Sequence, residues 1–168
     1  MKPETSSQRR RVIGVMGGAR VSVEVENLAE ELGRAIAGSG WVLLSGGRPA
    51  GVMQAASRGA AAAGGLVVGI LPGRDPDDCA AGVTIAVATG LGDGRNLVNV
   101  LSADVVVALP GGAGTMSEVA LAVKNRRPLV LLGNDPGPLV AAAEQAGRVR
   151  RAATVEQALE HIHELLGQ

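Results

Sequence analysis

Aromatic side chains are almost missing from this 168-residue chain, which has one Trp and neither Phe nor Tyr. Its core must therefore be packed from Val, Leu, Ile and Ala, and it offers no aromatic platform on which nucleic-acid bases would stack. An excess of charge is missing too, because sixteen Lys and Arg balance sixteen Asp and Glu. Without a large basic block a nucleic-acid partner is not expected. The one cysteine, Cys79, excludes an internal disulfide and fits a reducing cytosol. No apolar run reaches the ~18 residues of a spanning helix. No N-terminal stretch joins a basic flank, an apolar run and a cleavage site. The expectation is a cytoplasmic protein with no membrane partner. Lysine is scarce: Lys2 stands in the polar N-terminal stretch and Lys124 at a helix end, neither well placed for the Schiff base of a pyridoxal enzyme. His161 and His163 stand two apart on a predicted helix and point different ways. Asp75, Asp77, Asp78 and Cys79 read as a solvated turn, so no metal site is assigned.

Glycine is abundant, with twenty-five residues, and much of it follows short apolar runs. Residues 1–10 read as a loose polar tail and 11–168 as one domain. Val12–Met16 reads as a buried strand closed by Gly17-Gly18, and Ser22–Ala37 as an amphipathic helix ended by Gly38 and Gly40. Trp41–Leu44 is a strand, Gly46-Gly47 its turn, Gly51–Ala63 a helix and Leu66–Leu71 a strand. The alanines Ala60–Ala63 would let that second helix lie close to the sheet. Strands at Val83–Ala88, Asp104–Leu109 and Leu129–Leu132 follow, with helices at Asn96–Ser102 and Thr115–Asn125 and a candidate edge strand at Val149–Ala152. A helix over Thr154–Leu166 closes the chain. Alternating strands and helices with continuous apolar strands predict an α/β fold, a mostly parallel sheet covered on both faces. Such sheets bind ligands at the carboxyl ends of their strands.

The richest segment is Leu109-Pro110-Gly111-Gly112-Ala113-Gly114-Thr115-Met116-Ser117-Glu118, directly after Val105–Ala108. A strand, a glycine cluster and a helix start together suit a phosphate, since glycine removes the Cβ atoms that would hold an anion away from backbone N–H groups. Thr115 and Glu118 have two readings: a capping box with Thr115 at the N-cap, or a carboxylate supplied for chemistry. Thr154–Gln157 has the same spacing without the glycines. The pairs Gly17, Gly18 and Gly46, Gly47 fall at the same edge of the sheet, and Arg48 reads as a phosphate partner or a solvated loop residue. Arg95, at the threshold of the helix leading into the 104–109 strand, either reaches the strand ends or pairs with Asp93 or Asp104 at the surface. The fingerprints G-x-G-x-x-G and G-x-x-x-x-G-K-[ST] are absent, which disfavours an NAD enzyme and a P-loop ATPase.

Pro110–Glu118 resembles the P-G-G-x-G-T-x-x-E signature of the LOG (Lonely Guy) family, often labelled lysine decarboxylase-like. The stretch Gly46–Met53 is similar to that family's glycine-rich G-G-x-x-x-G-x-M turn. The resemblance implies a Rossmann-like three-layer αβα fold. In the hydrolytic members it also implies a phosphoribohydrolase releasing a free base from a nucleoside 5′-monophosphate. Arg95 and Glu118 would then be catalytic, while Gly111, Gly112, Gly114 and Thr115 hold the phosphate. Position 96 is Asn where those enzymes usually carry lysine. Gly40–Arg48, Val68–Gly73 and Glu118–Lys124 resemble another branch, the molybdenum cofactor carrier proteins. That likeness implies binding of a phosphorylated pterin, with molybdopterin as cargo, no cofactor required for the protein's own work, and Glu118 as a helix cap only. The resemblance also implies a homo-oligomer, dimer or tetramer. Val119, Leu121, Ala122 and Val123 are a candidate contact face that core packing explains equally well.

Overall fold

The computed structural model describes residues 9–167. Most of the expected N-terminal tail, residues 1–8, lies outside them. Arg9 is exposed yet engaged: its guanidinium donates to the two carboxylate oxygens of Asp104 at 2.5 and 3.1 Å.

Seven strands form one parallel sheet: β1 (Val12–Met16), β2 (Val42–Ser45), β3 (Val67–Leu71), β4 (Ile85–Ala88), β5 (Val105–Ala108), β6 (Leu129–Leu132) and β7 (Val149–Ala152). Their order is β4-β3-β2-β1-β5-β6-β7. The chain builds outward from β1 to β4, then crosses back to place β5 on the other side of β1. That reversal leaves a crevice at the carboxyl ends of β1 and β5, the position at which doubly wound sheets bind ligands. Two bonds continue the pairing into the loops: Leu109 N–H donates to Met16 O at 2.8 Å and Gly18 N–H to Pro110 O at 3.0 Å. The two glycine loops are thereby locked side by side.

Helices α1 (Val23–Gly38), α2 (Gly51–Ala62) and α6 (Val155–Leu166) cover one face of the sheet. The other carries α3 (Arg95–Ser102), α4 (Ala113–Lys124) and the short α5 (Ala141–Gln145). The inner strands are buried on both faces because they are continuous apolar runs, and β5 and β6 have no exposed residue, whereas the edge strand β4 is largely exposed. Without Phe or Tyr the fold packs small residues against backbone. Gly33 on α1 and Gly59 on α2 face the partner helix so closely that a Cβ at either would strike the backbone at Ala56 or Glu30. This corrects the expectation for Ala60–Ala63: only Ala60 is buried, and the close approach is between the two helices rather than onto the sheet.

Of three other expectations, two shift and one holds. The fourth strand starts at Ile85, not Val83, with Thr84 stitched to Val67 by two bonds just before it. The edge strand at Val149–Ala152 forms, paired with β6. The face proposed for contact between subunits is mostly interior, because Val119 and Ala122 are fully buried in the core and Leu121 and Val123 pack against it. Exposed apolar side chains instead include Leu97 and Leu101 on α3 and Ile85 and Val87 on β4. Both pairs lie on the α3 side of the sheet, since Ile85 is in register with Val68, which packs into that layer. No helix among the described residues is long and apolar enough to cross a membrane.

Candidate functional site

A cleft of about 250 Å³ opens at the crevice between β1 and β5. Of the residues singled out from sequence, Gly17, Gly18, Gly46, Arg48, Arg95, Gly112, Gly114, Thr115 and Glu118 line it, whereas Gly47 and Gly111 do not. The two left out serve the walls. Gly47 sits at φ +71°, a left-handed conformation suited to glycine, with its N–H on Ser45 Oγ at 3.1 Å and its α-carbon face against Gly69. A side chain on Gly111 would collide with Thr115 and with the backbone N of Gly18. Gly17 gives room to Val52, at the start of α2, and Gly18 O accepts from Val52 N–H at 3.0 Å.

Gly112 and Gly114 are different. Neither position has an atom within 4 Å of where a Cβ would stand, so the absence of side chains opens space toward the cleft rather than permitting packing. Gly112 is the N-cap of α4 and supplies no side-chain bond to the first turn. The early N–H groups of a helix lack intrahelical acceptors and carry its positive dipole end. Here they face a cleft.

The helix therefore begins two residues before Thr115, which overturns the capping box at Thr115 and Glu118. Thr115 is the third helical residue and buried. Glu118 lies one and a half turns in and does not reach back to an N-cap amide. At α6 the similar spacing does cap: Thr154 Oγ accepts from Gln157 N–H at 3.3 Å and Gln157 Oε1 from Ala153 N–H at 2.9 Å. The glycines at 111–114 let the chain turn helical early and carry the acid inward.

Glu118 is only 7% exposed and its Oε1 accepts from Asn99 Nδ2 at 3.0 Å. Burial outweighs this bond and the nearby Arg95 charge, raising its pKa to about 7. Arg95 is also buried. Its Nη1 donates to Gly46 O at 2.5 Å and Ile70 O at 2.9 Å, tying α3 to the ends of β2 and β3. Burial lowers its pKa, opposed by the charge of Glu118. Its Nε is buried without a hydrogen-bond partner among the described residues. Of the surface pairings considered for Arg95, Asp104 is taken by Arg9 and by Val12 N–H, and Asp93 acts on Arg95 only through its charge, with no ion pair or hydrogen bond between them among the described residues.

Sequence reasoning missed Asn99 as a site residue and saw Asn96 only as a departure from a pattern. Asn96 Nδ2 donates to Ser117 Oγ at 2.9 Å, and Ser117 in turn donates to Gly114 O at 2.7 Å, bracing the first turn of α4 from α3. The available signal was two amides three apart on a short helix otherwise filled by Leu97, Val98, Val100 and Leu101. At that spacing both fall on one face, and an otherwise apolar helix has no packing use for them. His161 and His163 diverge as expected: one meets Arg151 O and the other packs on Trp41.

Residues 10–159 match the model of the SLOG cluster4 family. The molybdenum cofactor binding protein from Rippkaea orientalis superposes with a TM-score of 0.86 at 45% identity, over 95% of this chain and 99% of that one. The molybdenum cofactor carrier protein from Chlamydomonas reinhardtii does so with a TM-score of 0.86 at 44% identity, over 95% and 100% of the respective chains. A cytokinin riboside 5′-monophosphate phosphoribohydrolase from Mycobacterium tuberculosis is 37% identical over 100 residues, 57% of this chain and 52% of that protein. The early α4 turn, the glycine walls and the buried Arg95 and Glu118 thus sit in a chain that belongs to the SLOG cluster4 family.

Proposed function

We propose that the protein is a cytoplasmic carrier that binds a small phosphorylated ligand, a molybdopterin-type pterin, as cargo. The observation that carries this reading is the uncapped N-terminus of α4, open through Gly112 and Gly114 into a cleft walled by Arg48 and Arg95. A phosphate monoester needs such a seat: free backbone N–H groups, a helix dipole and guanidinium groups nearby. Likeness over nearly the whole chain to two proteins described as binding or carrying molybdenum cofactor supports the choice of a pterin. In this reading Arg95 holds the strand ends in place and lends positive charge, Asn96 and Ser117 hold the first turn of α4, and the protein performs no bond cleavage. Anaerobic titration of the purified protein with molybdenum cofactor tests it, with saturable binding near one ligand per chain as the expected result.

The second reading, a nucleoside 5′-monophosphate phosphoribohydrolase, is favoured by Glu118, a buried cleft carboxylate whose pKa lies near neutrality. A carboxylate beside the ribose would stabilise an oxocarbenium-like transition state or activate water. Arg95 would balance the charge. Free-base release from a panel of nucleoside 5′-monophosphates, lost in Glu118→Ala, would establish it. Under either reading we assign a homo-oligomer, dimer or tetramer, using the exposed Leu97, Leu101, Ile85 and Val87 surface.

A further inference from the structure

The cleft has a neighbour. A second cavity, about 340 Å³, opens on the same edge of the sheet between Arg48-Pro49 after β2 and Leu71-Pro72-Gly73 at the end of β3, with Asp78 at its rim. Arg48 lines both. Its guanidinium makes no hydrogen bond or ion pair among the described residues, so it is free to engage whatever lies between them. The first cleft alone falls below the ~300–1,000 Å³ usual for small-molecule sites, and the second more than doubles the space.

The two cavities differ in chemistry. The first carries Arg48, Arg95 and the open N-terminus of α4 beside the carboxylates of Asp93 and Glu118 and the side chains of Met16 and Met53. In the second, Leu71, Pro49 and Pro72 bring apolar surface and Asp78 brings an acceptor. We propose that one ligand spans both, its phosphate at the start of α4 and its ring system in the second cavity, with Arg48 over the link. This assignment rests on the pterin-carrier reading and specifies the ligand: a phosphorylated 2-amino-4-oxo heterocycle. Such a ring presents an amino group and an adjacent ring N–H on one edge, a donor pair that matches the two oxygens of a carboxylate. Its flat faces suit aliphatic and proline walls in a protein that has no aromatic to offer there.

Gly73 makes the second cavity separable. A Cβ there would meet only an Asp78 carboxylate oxygen, at 3.8 Å, and the residue is not in the left-handed region. A larger side chain can therefore be added without strain, filling the second cavity and sparing the first. Two variants, Gly73→Leu and Asp78→Asn, are titrated anaerobically against molybdenum cofactor freshly released from a molybdoenzyme, with ribose 5-phosphate as the short probe. The expected result is a tenfold or greater loss of affinity for the pterin in both variants, with ribose 5-phosphate affinity within twofold of wild type. Wild-type affinity for the pterin in both variants overturns the two-cavity assignment while the carrier reading stands. Equal weakening of both probes also overturns it. Failure of the wild type itself to bind the pterin removes the carrier reading and this inference together. If Gly73→Leu does not fold, Asp78→Asn decides, since Asp78 is exposed and outside the strands.

Discussion

Replacing Glu118 by Gln should stabilise the protein, and only above mildly acidic pH. The carboxyl has a pKa of about 7 in the folded chain against an ordinary glutamate value of 4.5. The folded state therefore binds more protons than the unfolded state between those values, and stability falls as pH rises from about 4.5 to 7, then levels. Two and a half pKa units correspond to about 3 kcal/mol. The group is almost fully buried, so solvent screening does not reduce this much. Glutamine matches the neutral carboxyl in shape and can still accept from Asn99, so the variant escapes the ionisation penalty. At pH 8 the gain should approach about 3 kcal/mol, and at pH 5 it should be below about 1 kcal/mol. For a chain of this length the pH 8 gain raises Tm by roughly 6–12 °C. Thermal melts followed by circular dichroism at the two pH values read it directly. Equal stability of the two proteins at pH 8, or parallel pH slopes between 5 and 8, would refute the argument.

Gly114→Ala should separate stability from binding: alanine in a helix is favoured over glycine by roughly 0.5–1 kcal/mol, while the new methyl enters the anion seat and weakens phosphate-ligand affinity at least tenfold by titration calorimetry. Unchanged affinity would move the seat elsewhere. Arg95→Ala leaves Gly46 O and Ile70 O without their shared donor, and urea denaturation should show a loss of roughly 2–4 kcal/mol; a loss below about 1 kcal/mol would mean that the clamp is dispensable. The double substitution Leu97→Glu and Leu101→Glu, at positions 39% and 44% exposed, should preserve the fold and yield monomers by light scattering, and an unaltered mass would exclude that surface as the interface.

Strand by strand, the sheet is legible because most buried strands are short apolar runs followed by glycine-rich turns, whereas the strand order, and with it the switch point, depends on pairings between segments far apart in the chain. What escaped was the start of α4. Read locally, Thr115 and Glu118 spell a cap, and nothing within those four residues says that the chain turns helical at Ala113. The deciding contacts are distant in sequence: Gly18 N–H on Pro110 O fixes the loop, and Asn99, nineteen residues upstream, receives Glu118. For Arg95 the sequence leaves open whether it reaches the strand ends or pairs at the surface, because the two backbone carbonyls that hold it leave no mark in a sequence. The division of the glycines into Gly111 and Gly47, which permit packing, and Gly112 and Gly114, which open the cleft, likewise depends on neighbours supplied by other elements.

A carrier of the proposed kind holds a phosphorylated pterin in the cleft and does not cleave it. Anaerobic equilibrium dialysis of the wild-type protein against molybdenum cofactor, with chromatography of the ligand recovered afterwards and a parallel incubation with nucleoside 5′-monophosphates, tests this most directly. The expected result is about one intact cofactor per chain and no free base from any nucleotide. Absence of cofactor binding together with base release abolished in Glu118→Ala would contradict it and make the site that of a hydrolase.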